Sequence, residues 1–111
     1  MPDVKKMQIG FLIFPGFPMA CLTSMIEPLR AANEIAGLDA FAWKLVSEDG
    51  QRIEASAGVW FDPNISINDC DALDQLFLLS GPSSRFKNAH ASDGTLRKLA
   101  RHGVTMGAIS G

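Results

Sequence analysis

Charge is scarce in this sequence. Only 20% of its 111 residues are Asp, Glu, Lys or Arg, below the roughly one quarter usual for soluble domains. Charge of one sign is scarcer still: the formal net charge is −2 and the pI about 5.5. A nucleic-acid-binding surface needs a basic stripe, and Arg97, Lys98 and Arg101 read instead as the solvated face of a helix. DNA contact by this segment is therefore not expected. Cysteine is nearly absent, with Cys21 and Cys70 alone; in a chain with no signal peptide they read as reduced thiols. No hydrophobic run is long enough to span a bilayer, Ile9–Phe14 being the strongest. The location expected on these grounds is the cytoplasm. No Gly-rich phosphate loop and no His, Cys and carboxylate set at metal-ligand spacing occurs, so no cofactor or metal is expected.

What is present is a core. Hydrophobic residues make up 47% of the chain, enough for one domain and incompatible with disorder. Met7–Phe14 is an apolar run ended by Pro15-Gly16 and reads as a strand buried on both faces. Met19–Ala36 carries Leu22, Met25, Ile26 and Leu29 at helical spacing. Gly37 is its expected stop, Ser24 and Glu27 have capping-box spacing, and Pro28 predicts a kink or an irregular start. Glu27 is placed to pair with Arg30.

Phe41–Ser47 reads as a second strand. Arg52–Glu54 and Val59–Phe61 read as a short hairpin around Ala57-Gly58. Ser66–Leu73 is a loop or short helix, with Cys70 incidental in a polar stretch. Leu76–Leu79 and Val104–Ile109 are two further buried strands, and Asp93 is the expected cap of a helix over Gly94–His102. Strands alternating with helices imply a mainly parallel sheet. The chain stops at Gly111 directly after a strand, which predicts the front part of a longer protein or an edge covered by a partner. Trp43 and Trp60 read as core or sheet-face residues, with an aromatic wall for a cationic ligand as the alternative.

Four stretches, in this order and spacing, carry a resemblance: Ile9–Pro15 (IGFLIFP), Glu27–Asn33 (EPLRAAN), Leu76–Gly81 (LFLLSG) and Gly107–Gly111 (GAISG). Together they resemble the class I glutamine-amidotransferase-like superfamily, in the branch with PfpI-type proteases and isocyanide hydratases. EPLRAAN looks most like the regulators of that branch, in which such a domain precedes an AraC-type helix-turn-helix domain. The resemblance implies a flavodoxin-like three-layer sandwich, truncated here after the strand of the nucleophile elbow. Residues 1–111 would then be the N-terminal part of a ligand-sensing domain, with the DNA-binding domain outside the chain.

The resemblance also locates a site and shows it altered. Ser110 matches the nucleophile position, where the enzymes have a cysteine; serine needs an adjacent base. Cys21 falls near the position of the enzymes' carboxylate and is a poor substitute for one. Pro82, after Gly81, has no N–H to offer a developing oxyanion. The expectation is therefore a sensor without catalysis. Its candidate ligand-binding residues are Ser110, Gly81, Pro15, Gly16, Phe17 and Cys21, at the carboxyl edge of the sheet. Its effector would be a small nitrogen-containing metabolite such as an amino acid or betaine, and its assembly a homodimer reaching DNA only through the absent domain. The alternative is a PfpI-type hydrolase or isocyanide-hydratase-like enzyme using Ser110.

Overall fold

The computed structural model describes residues 5–82 and 84–110. Its apolar runs become strands β1 (Met7–Ile13), β2 (Phe41–Ser47), β6 (Gln75–Ser80) and β7 (Thr105–Ser110), joined by the two-residue β5 (Ile65–Ser66). They form one sheet in the order β5-β2-β1-β6-β7. Every pairing in it is parallel. The most apolar run is the central strand, as burial on both faces demands.

Alternation along β1 divides the interior in two. Ile9, Phe11 and Ile13 join Phe17, Leu22 and Leu79 in one cluster. Leu12 and Phe14 join Val46, Ile67, Leu76 and Leu99 in the other. Helix α1 (Met19–Ala36) covers the first face through Leu22, and α2 (Ala89–Arg101) covers the second through Leu99. The result is the expected three-layer α/β sandwich.

Helix α1 has the expected bounds, and Gly37 closes it in the left-handed conformation at φ +69°. Ser24 and Glu27 do not form its N-terminal box, because the helix already begins at Met19, after Pro18. Glu27 instead pairs with Arg30 at 2.7 Å, as its i,i+3 spacing predicts. Asn33, within EPLRAAN, has a structural task. Its carboxamide donates to the Phe41 carbonyl and accepts from the Phe41 N–H, both at 3.0 Å, tying α1 to the start of β2.

The hairpin also forms, as β3 (Ile53–Glu54) antiparallel to β4 (Trp60–Phe61). Three expectations need correction, and one short strand is not foreseen. Strand β7 is not buried on both faces: Thr105 and Ala108 are exposed, since β7 lies at an edge of the described sheet. Two-residue β5 pairs with the end of β2, too short to leave a pattern in the sequence. Cys70 belongs to a hydrophobic cluster and is buried. Helix α2 begins at Ala89, five residues before the expected Gly94, capped by Asn88, whose side chain accepts the Ala91 N–H at 3.2 Å. Asp93 lies inside the helix.

A second anchor of α2 comes from far along the chain. The Glu48 carboxylate accepts the N–H groups of Lys87 at 2.6 Å and Asn88 at 2.7 Å, and the hydroxyl of buried Ser92 at 2.9 Å. Partial burial opposes its ionisation, but the three donors outweigh it and hold its pKa below the ordinary 4.5. A depressed carboxylate pKa contributes stability that is present above the unfolded value and is lost as pH falls through the folded one. Glu48→Gln therefore costs about 1 kcal/mol at neutral pH, as loss of a cap does. It also flattens the acid limb of stability below pH 4.5. Urea unfolding of both proteins from neutral to acid pH checks this; parallel curves would show that Glu48 contributes nothing through its charge.

Candidate functional site

From β1 the chain moves outward to β2 and β5, then returns across β1 to build β6 and β7 on the other side. The connections after β1 and β6 therefore leave toward opposite faces, into α1 and α2. In such sheets a reversal of this kind marks the usual place for a ligand, a crevice at the carboxyl ends of the two strands. Pro15-Gly16-Phe17 follows β1, and Gly81-Pro82 follows β6.

These two loops are in contact. Gly16 has φ +81°, a conformation glycine takes without penalty, and its N–H donates to the Glu54 carbonyl of β3 at 2.8 Å. A Cβ on Gly81 would lie 2.5 Å from the Gly16 carbonyl oxygen, so only glycine fits. The Ser84 hydroxyl accepts the Gly81 N–H at 2.8 Å and donates to the Pro15 carbonyl at 2.9 Å. Ser84 was not singled out in the sequence. Its bond to Gly81 is a local serine turn of a recognisable kind, but its bond to Pro15 crosses 69 positions and leaves no local signal.

The other candidates are placed as follows. Phe17 is fully buried and meets Phe61 edge-on, with ring centroids 5.1 Å apart. It forms the floor beneath the loop, not an accessible wall. Cys21, in the first turn of α1, is half-buried, carries a free thiol and packs against the same cluster. Ser110 is the last residue of β7, paired in register with Ser80. Its backbone lies in extended strand and not in the sharp turn that the resemblance implies for this position.

The loop N–H groups described at this edge are engaged. Gly16 donates to Glu54, Phe17 to Phe14 at 3.0 Å, and Gly81 to Ser84. Pro15, Pro18 and Pro82 have no N–H to give. An oxyanion needs free, preorganised donors, and those described here are turned to loop structure.

Two cavities are found elsewhere, of about 350 and 400 Å³. Neither is lined by any of the six candidate residues. The second, of about 400 Å³, has mostly polar residues around it and lies beside Glu48, Asp49 and Lys87 at the N-terminus of α2. There Lys87 bonds Asp49 at 2.9 Å, which lowers the pKa of the acid and raises that of the amine. Trp60 is half-exposed, and the Arg52 guanidinium already lies 4.9 Å from its ring centroid. The face considered as a wall for a cationic ligand is thus occupied by a cation of the chain itself.

No protein-family profile matches the chain. Individual proteins do. The HTH-type transcriptional regulator GbdR of Pseudomonas aeruginosa is 31% identical over 101 residues, which are 91% of this chain and 28% of that protein. CdhR, an HTH-type transcriptional regulator of the same organism, is 35% identical over 99 residues, 89% of this chain and 29% of that protein. The chain thus spans under a third of the length of these two relatives. Among solved structures, an AraC family transcriptional regulator from Pseudomonas putida superposes with a TM-score of 0.80 at 25% identity, over 92% of this chain and 55% of that one. A ThiJ/PfpI family protein from Pseudomonas syringae shares the fold, with a TM-score of 0.59 at 23% identity over 99% of this chain and 48% of that one.

Proposed function

The chain is an α/β segment of the ThiJ/PfpI type, related in sequence to HTH-type transcriptional regulators, and we propose that it is the effector-sensing part of such a regulator. The relatedness to GbdR and CdhR over about nine-tenths of the chain carries this reading. The crevice geometry supports it: the loop N–H groups that acyl chemistry would recruit are bonded to Glu54, Phe14 and Ser84. A small nitrogen-containing metabolite would bind at the carboxyl edge near Ser110, Gly81 and the Pro15-Gly16 loop, without being consumed. The bound crevice would alter how two subunits pack, and DNA would be contacted by a separate domain.

The test uses the full-length protein and a panel of amino acids and betaines. A true effector at a hundred times its dissociation constant adds about 2.7 kcal/mol of stability, read as a rise in melting temperature, while product analysis detects no turnover. Turnover that disappears in Ser110→Ala would establish the hydrolase or hydratase reading instead. No shift with any compound of the panel would remove the proposed effector class.

A further inference from the structure

The amino edge of the sheet, at the opposite end from the crevice, holds the cavity of about 350 Å³, between α2 and the segment that enters β6. Its wall is made by Cys70, Leu73, Leu99 and Val104, all buried. Burial pushes the Cys70 thiol up, so that it stays neutral and presents an apolar sulfur. The volume is near the lower end of the range for small-molecule sites, roughly 300 to 1,000 Å³.

The polar groups around this wall are unevenly committed. The Thr95 hydroxyl is bonded to Asn68 Oδ1 at 2.6 Å. The carbonyls of Lys98, Leu99 and Ala100, which end α2, are taken by the N–H groups of residues 102 to 104. They offer little to an ammonium group. Lys98 and His102 line the cavity one helical turn apart. Among the described residues no carboxylate lies within 4.0 Å of the Lys98 amine. An exposed ammonium beside an apolar recess matches a ligand with a hydrocarbon body and one negative end. Asp71, exposed on the same rim, repels anions from its own side, so a negative end is favoured only beside Lys98.

We infer that this cavity binds small monocarboxylic acids with an apolar body. The hydrocarbon part lies on Leu73, Leu99 and Val104, and the carboxylate pairs with Lys98. The site is independent of the switch-point crevice and of any effector bound there.

Hexanoate is a direct probe, with 1-hexanol and hexylamine as uncharged and cationic counterparts, titrated calorimetrically into the full-length protein. Hexanoate is expected to bind more tightly than either, and Lys98→Met, an exposed change that spares the core, weakens hexanoate roughly tenfold while leaving hexanol unchanged. Methyl NMR is expected to show shifts at Leu73, Leu99 and Val104. Absence of hexanoate binding, equal binding of hexylamine, unchanged affinity in Lys98→Met, or shifts confined to residues near Gly16 and Gly81 would each overturn the assignment.

Discussion

Gly81→Ala is expected to destabilise the domain by about 3 kcal/mol, the scale of overpacking in a site that cannot relax. The added methyl would meet the Gly16 carbonyl oxygen at 2.5 Å and its carbon at 3.1 Å. Both are backbone atoms, so relief requires one loop to move away from the other and to give up the Ser84 bonds that join them. The melting temperature should fall by roughly 10 °C. Gly16→Ala is the control. No atom beyond its chain neighbours lies within 4 Å of where its Cβ would stand, and the cost is only that of a left-handed alanine at φ +81°, about 1–2 kcal/mol. Calorimetry of both variants decides: equal losses, or a larger one at Gly16, would show that the loops do not depend on their contact.

Phe17→Ala is the second large effect, about 3–5 kcal/mol, as for other buried aromatic truncations. Phe17 has no exposed surface, packs with Ile53, Ala55 and Leu79, and meets Phe61. Its carbonyl also accepts the Ser56 N–H at 2.9 Å, so the hairpin rests on this residue by backbone and side chain together. Phe17→Leu, which leaves a smaller void, should recover much of the loss. Chemical denaturation measures both. A variant with alanine at 17 that keeps its stability and loses only effector affinity would return Phe17 to the role of ligand contact.

The legible parts of the sequence were those in which local pattern and tertiary need agree. β1 and β6 are apolar runs because strands inside a parallel sheet meet side chains on both faces, whereas β7 is apolar in sequence although it lies at an edge of the described sheet. Gly37 ends α1 through a backbone conformation that its residue type allows. The start of α2 was misplaced because much of its anchoring is not local: Glu48 reaches Lys87 and Asn88 from 39 and 40 positions away. Asn88, an ordinary helix cap three residues before Ala91, is the local signal of this start. Cys70 looked incidental because Asn68, Asp69 and Asp71 surround it in sequence, while the turn of the chain sends it inward among Leu73, Leu76 and Leu99. At the candidate site, the loops were found from Pro15-Gly16 and Gly81, but the bond that joins them depends on Ser84, whose partner Pro15 is remote in the chain.

The two cysteines lie in different layers. Cys70 belongs to the cluster under α2, and Cys21 packs with the cluster under α1; the sheet separates these clusters. A disulfide needs the two Cα atoms within about 7 Å, a distance that a sheet standing between them denies to the folded chain. A crosslink between Cys21 and Cys70 is therefore confined to opened molecules: under mild oxidant its formation should require the layers of the sandwich to come apart.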